Sequence, residues 1–344
     1  MTNEEKILYT ICAYLRPNFG PMKFKDVINS NKIKDPFAYL KDNFNPELAL
    51  AFKFLEKLKA NAIGLKCVWE EEYPKRLKLL PNAPIIIFYK GNIEIASQEI
   101  ISIVGTRKCT PMGIKYAKEF TEELSKYSVI CSGLAFGIDS IAGLISTKRE
   151  SKSIAVLPGS LINPTPRSNK YIFNKIVDSG GLVLSEYPFT EDFTKGAYIA
   201  RNRIIAGVAQ TILLIESPLD GGSLTTCRIG HSNNTDVYTI PANIDLVTFQ
   251  GNNFLLKTLV AKAVTTPFDI INWGSKELML SNIEISLNSE EKEVVDIIRT
   301  YDDYDSICLA LKGKISFDRI YDIILNLEMG GIITRNYSGR YSIN

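Results

Sequence analysis

The chain has 344 residues, too many for one small core, and its 45% hydrophobic and 23% charged content is that of a soluble globular protein. A net charge of +2 selects no partner by itself, but its distribution is uneven. From Lys276 to Asn344, 8 Lys/Arg stand against 12 Asp/Glu, which makes the tail −4 and leaves the body +6, a pattern that suggests different partners for the two parts. The six cysteines (Cys12, Cys67, Cys109, Cys131, Cys227 and Cys308) form no CxxC pair, so neither a zinc site nor a disulfide frame is indicated. No apolar run reaches the roughly 18 residues of a membrane span, and Met1-Thr-Asn-Glu-Glu is no signal segment. A cytoplasmic protein without metal or cofactor is expected.

In chain order, Ile7, Leu8, Ile11, Cys12 and Leu15 share one helical face. Leu48, Ala51, Phe52, Leu55 and Leu58 do the same, with Gly20-Pro21 punctuating between them. This predicts a small helical domain over residues 1–65. Pro74, Pro81 and Pro84 then break helices on the way to a strand at "IIIFY". From about Glu99 apolar strands alternate with amphipathic helices: "IISIVG", "SVICSG", "SIAVLPG", "LVLSEYP", "TILLIES" and "DVYTIP" are the strands. That alternation predicts βαβ units and a Rossmann-like, doubly wound, mostly parallel sheet over residues 66–275. The tail, 283–344, reads as three helices, the first preceded by Ser289 as its cap, followed by a hairpin around Ser338-Gly339, which is the order of a winged-helix domain.

Ligands of an open parallel sheet bind beyond the carboxyl ends of its strands. Two of the loops there, Gly105-Thr106-Arg107 and Ser132-Gly133, combine glycine, hydroxyl and unpaired amides at a helix entry, where anions bind. Arg107 adds a fork suited to phosphate, and Ser223 follows Gly221-Gly222 in a third such loop. Catalysis finds less support. The only histidine, His231, has no partner set around it, and no acid/base pair stands out among Asp139, Glu186, Asp192, Glu216 and Asp220; Asp139 reads as a cap or packing residue.

Basic residues outnumber acids along this rim. Arg167, Asn169 and Lys170 open one helix, and Arg201 and Arg203 flank Asn202 in another. With Tyr171 and Phe173 nearby they suit a single-stranded nucleic-acid backbone, phosphates pairing with cations and bases stacking on rings. Two alternatives stand beside this. Arg201 or Arg203 could pair internally with Glu186 or Glu216, and Phe173 is spaced for burial with Ile176 and Val177.

The order of motifs resembles the DNA-processing protein A (DprA/Smf) family: Tyr73-Pro74, Lys90-Gly91, "IVGTR" at Ile103–Arg107, "SGLAFGID" at Ser132–Asp139, "SEYP" at Ser185–Pro188, "RNRIIAG" at Arg201–Gly207 and "GSLTT" at Gly222–Thr226. The resemblance covers the whole sheet domain, and the family's long form also carries the helical and winged-helix domains. It implies a non-catalytic homodimer that binds single-stranded DNA without sequence choice and helps load a RecA-type recombinase in natural transformation. It implies phosphate contacts by Arg107 and Lys170, in a pocket lined by Gly105, Thr106, Ser132, Gly133 and Ser223. Gly143 stands where the family usually has a histidine. In the tail, Asp318, Asp322 and Glu328 would repel phosphates from the third helix, so protein contacts are expected there rather than duplex readout. Two rival readings are a phosphoribohydrolase-like nucleotide-processing enzyme using Glu186 or Glu216, and a winged-helix transcription regulator.

Overall fold

A computed structural model describes residues 1–30, 33–148, 152–191, 195–271, 287–329, 332–336 and 339–343. They fall into two units, Met1–Ile271 and Asn272–Asn344. The expected domain edges at residues 275 and 283 lie outside the described residues.

The first unit is built on nine strands: β1 (Gly64–Cys67), β2 (Ile86–Gly91), β3 (Ile100–Val104), β4 (Val129–Ser132), β5 (Ser153–Leu157), β6 (Leu182–Ser185), β7 (Thr211–Leu214), β8 (Asp236–Thr239) and β9 (Lys262–Ala263). They form one sheet in the order β1-β2-β6-β5-β4-β3-β7-β8-β9. The two pairings that involve β2 are antiparallel and the rest are parallel. Strands β3 to β6 are buried along their whole length, which is why they read as unbroken apolar runs. From β3 the chain lays β4, β5 and β6 to one side and then returns to lay β7, β8 and β9 on the other. The reversal between β3 and β7 is the topological switch point, where a crevice opens beyond the strand ends.

The helices of this unit are α1 (Asn3–Leu15), α2 (Pro21–Asn29), α3 (Pro36–Phe44), α4 (Leu48–Ala60), α5 (Lys75–Lys78), α6 (Pro111–Leu124), α7 (Ile138–Ser146), α8 (Lys170–Asp178), α9 (Lys195–Val208), α10 (Ser223–Ser232), α11 (Gln250–Lys257) and α12 (Phe268–Ile271). Sequence reasoning missed β1, the two-residue β9 and the single turn α5, each too short to carry a period. The α1–α4 segment shares one apolar core with a face of the sheet: Ile11, Leu40, Ala51 and Leu58 pack in the same cluster as Ile86, Phe88, Leu157 and Val183. Gly143 lets α7 approach α8, since a Cβ there would lie 3.3 Å from Ile172 Cγ2.

The second unit has helices Ser289–Ile298, Tyr304–Ala310 and Phe317–Met329, then β10 (Ile333–Arg335) paired antiparallel with β11 (Tyr341–Ile343). Its first helix is capped one residue earlier than expected. Asn288, not Ser289, accepts from the Glu291 amide at 2.9 Å, and Glu291 returns the bond at 2.9 Å. Val294, Val295, Ile298, Ile320, Ile323, Ile324 and Leu327 form its core.

No disulfide links the cysteines. Burial pushes the thiols of Cys131 and Cys227 up to about 12 and that of Cys12 up to about 11. Cys109 is the one cysteine that is not buried. Alkylation of the native protein with iodoacetamide is expected to modify Cys109 first and the other five only on unfolding. Peptide mapping by mass spectrometry checks this, and early labelling of Cys131 or Cys227 would contradict it.

Candidate nucleic-acid interface

The loop after β3 is held at both ends by the strand end of β7. The Thr106 amide donates to the Glu216 carbonyl at 2.7 Å. The Glu216 carboxylate, fully buried, accepts through Oε2 from the Thr110 amide at 3.0 Å and from the Thr110 hydroxyl at 3.2 Å. Thr110 in turn caps α6, its hydroxyl accepting from the Gly113 amide at 3.1 Å, with Pro111 at the first helical position. Gly113 has to be glycine because a Cβ there would overlap Glu216 Oε2. Gly105 is also tightly packed, since a Cβ there would lie 2.5 Å from Ile138 Cγ1.

Between those fixed ends Arg107 and Lys108 are exposed. The Arg107 guanidinium lies 4.8 Å from the centre of the Tyr198 ring on α9. The loop after β4 meets the same place from the other side. Gly137 takes φ 73° and ψ −130°, and the Ile138 amide that follows donates to the Thr106 carbonyl at 3.2 Å.

These loops, with α9 and the entry to α10, line a half-open cavity of about 1000 Å³ whose walls include Gly105, Thr106, Arg107, Arg201 and Ser223. A smaller one of about 90 Å³ is shared by Arg107, Gly133, Phe136 and Arg201. The structure therefore brings six of the expected residues together. It corrects others. Arg203 is not on the rim: it is 8% exposed, and its Nη2 donates to both Glu186 oxygens at 2.6 Å. Arg201 is 5% exposed and sits 3.5 Å from Asp139, so it can be reached only through the cavities. Phe173 is buried in the core and offers no ring to a base, while Tyr171 is exposed. Ser132 spends its hydroxyl on the Ile103 carbonyl at 2.8 Å, and Asn169 donates to the Leu134 carbonyl at 2.9 Å, so both brace the loops from behind. Lys170 is exposed at the start of α8 and lines neither cavity.

The electrostatics follow from burial. Desolvation raises the Asp139 carboxyl above its ordinary value, with Arg201 and the amides of Ala135 and Gly133 pulling it back. Desolvation also lowers the Arg201 pKa, and the Arg107 charge adds to that lowering. Neither Glu186 nor Glu216 lines either cavity. Among the described residues no group of three or more His, Cys, Asp or Glu is placed to hold a metal ion, and no helix is long and apolar enough to cross a membrane. Sequence reasoning missed Tyr198, Lys108, Phe136 and Arg228, because only the folded loops bring them to the same cavities.

Comparison with known proteins places this arrangement. The model of the DNA recombination-mediator protein A family matches residues 64–274. DNA processing protein DprA of Streptococcus pneumoniae is 31% identical over 246 residues, 72% of this chain and 85% of that protein. Protein Smf of Escherichia coli is 31% identical over 202 residues, 58% of this chain and 54% of that protein. Among solved structures, the Streptococcus pneumoniae protein superposes with a TM-score of 0.68 at 28% identity, covering 77% of this chain and 97% of that one. DNA processing protein A of Helicobacter pylori, whose structure describes a single-stranded DNA binding mode, superposes with a TM-score of 0.56 at 26% identity over 62% of this chain and 96% of that one. With the matched region spanning the sheet and both loops of the interface, the chain belongs to the DNA recombination-mediator protein A (DprA/Smf) family.

Proposed function

We propose that this chain binds single-stranded DNA by its phosphates, without sequence choice and without chemistry on the strand, and works in the cytoplasm as a homodimer that delivers the strand to a RecA-type recombinase. The observation that carries the reading is Arg107, exposed on a loop anchored at both ends to Glu216 and set over the Tyr198 ring at the switch point of the sheet. A fixed guanidinium beside amide-rich turns suits a phosphodiester, and stacking surfaces beside cations tolerate any base. In this reading Lys170 and Tyr171 extend the track along the start of α8, and Gly105, Thr106, Gly133 and Ser223 let the backbone of the strand come close. Ser132 and Asn169 act by holding loops. Arg203 and Phe173 are left out for the burial described above.

The second unit takes a different part. Its third helix exposes Asp318 and Asp322, and Arg319 there is paired with Glu290 at 3.0 Å. Such a helix repels phosphates, so the winged-helix-like unit serves protein contacts in this reading.

The test is binding of labelled oligothymidylate and of a duplex of equal length across a salt series, for wild type and for Arg107→Ala with Lys170→Ala. The expected outcome is preference for the single strand and at least about a tenfold loss of affinity in the double variant. The salt slope should fall by about 1.4, two contacts at roughly 0.7 each for single strands. Tighter binding of the duplex, an unchanged slope in the variant, or turnover of a nucleotide would overturn the reading.

A further inference from the structure

One large apolar ring stands out of the loop between β4 and α7. Phe136 is 52% exposed, whereas its apolar neighbours Leu134, Ala135 and Ile138 are buried. The backbone on both sides of it is fixed. Leu134 takes φ 57°, a left-handed conformation that a bulky residue adopts only where its surroundings impose it, and Gly137 takes φ 73°. The Leu134 and Ala135 carbonyls accept from Asn169 Nδ2 at 2.9 and 3.4 Å, and the Ile138 amide donates to the Thr106 carbonyl at 3.2 Å. Phe136 is thus displayed to solvent by a braced loop, without the burial that a phenyl ring favours.

The same bonds set the ring among the cations. Thr106 precedes Arg107 and Asn169 precedes Lys170, so the Phe136 loop is joined on one side to the Arg107 turn and on the other to the start of α8. Arg107 and Lys170 are both exposed. Phe136 and Arg107 also border the smaller cavity, together with Tyr198 and Pro166, and among the described residues no carboxylate lines it. At about 90 Å³ this cavity is well below the roughly 300–1,000 Å³ that encloses a small ligand. A base would therefore lie across the Phe136 ring rather than enter the wall. A single exposed apolar side chain is ordinary on a protein surface. One that is braced on both sides and joined to two exposed cations has the layout of a strand-binding track, in which phosphates pair with cations and bases stack on rings.

We propose that Phe136 is a stacking platform for one base of the bound strand, set between the phosphate cations Arg107 and Lys170. This rests on the reading of the chain as a single-stranded DNA-binding protein and adds to it a contact that does not depend on charge. Every base has a π-face, so such a platform suits binding without sequence choice. It also favours a single strand over a duplex, whose bases are already stacked within the helix and cannot reach a side ring without being extruded.

The test uses the full chain and two strands of equal length, oligothymidylate and a strand of abasic deoxyribose phosphates that carries the charge but no bases. Phe136→Ala should bind oligothymidylate about tenfold more weakly, which is a stacking loss of about 1.4 kcal/mol. It should bind the abasic strand as wild type does and keep the wild-type salt slope, since no phosphate contact is removed. It should also melt with wild type, since the ring is exposed. Phe136→Tyr should retain wild-type affinity. In Phe136→Trp, the added indole emission should be quenched by oligothymidylate and not by the abasic strand. Equal binding of oligothymidylate by Phe136→Ala and wild type would overturn the inference. So would an equal loss on the abasic strand, which would mean that the ring shapes the loop rather than receives a base. A lowered salt slope in Phe136→Ala would also sink the platform, because the ring would then be acting through Arg107. All three outcomes leave the DNA-binding reading standing, whereas failure of wild type to bind either strand would overturn that reading itself.

Discussion

Glu186→Ala is expected to lower the stability of the first unit by about 3–5 kcal/mol, because it strands the Arg203 guanidinium in the interior. Arg203 is 8% exposed and Glu186 5%, and the ion pair that balances both runs from the single Nη2 to the two carboxylate oxygens, each at 2.6 Å. Removing one charge leaves the other desolvated and unpaired, a cost far above that of losing a surface salt bridge. The Glu186 carbonyl also accepts from the Tyr14 hydroxyl of α1 at 3.0 Å, so disturbance at this point reaches the helices that share the core. Against a typical total of 5–15 kcal/mol, the loss is a large share. The double variant Glu186→Leu with Arg203→Met removes both charges and should recover most of it. Urea unfolding of wild type, Glu186→Leu, Arg203→Met and the double variant gives the coupling. A single-variant loss under about 1 kcal/mol would mean that water reaches the pair.

Gly137→Ala is expected to cost roughly 2–5 kcal/mol and to displace the Arg107 loop. At φ 73° and ψ −130° the backbone occupies a region that only glycine enters without strain. A Cβ would also overlap the Thr106 carbonyl oxygen and crowd the Arg107 carbonyl, at 2.7 Å from its oxygen and 2.8 Å from its carbon. These are backbone atoms, so no side chain can swing away to make room, and the two loops have to part. Oligonucleotide affinity should fall beyond what unfolding explains, at a temperature where the variant is still folded. Hydrogen exchange at Thr106 and Lys108 should speed up in the same variant. Retained affinity with unchanged exchange would show that the two loops are not coupled.

Both predictions concern residues whose partners lie far along the chain. Glycine at positions 105 and 137 is visible in the motifs, but the reason for each is not, and nothing in the motifs singles out Gly113. Gly113 faces a carboxylate from another strand end, and Thr110 and Glu216 are 106 positions apart. Arg107 is exposed because a short turn between a buried strand and a helix has nowhere else to put a long charged side chain. Arg203 took the internal pairing with Glu186 that the sequence left open as an alternative, while Arg201, equally buried, lies beside Asp139 and lines both cavities. In the fold, residues 203 to 209 are buried without a break. Phe173 went the way its spacing with Ile176 suggested, since a helix against a sheet buries one stripe.

What the sequence by itself determined is therefore local. Apolar runs of four to six residues had to become strands buried on both faces, the intervening amphipathic stretches had to cover them, and glycine-rich turns had to sit at the strand ends. Strand order was decided only by the tertiary structure, which turns the chain back at β3 and lays β7 beside it. That choice sets the Arg107 loop against Glu216, gives Arg201 and Arg203 their buried counter-charges, and opens the cavity at the end of α10. The physical reason is that periodicity encodes which face of an element is buried, whereas charge pairing and cavity shape depend on which distant elements meet across that face.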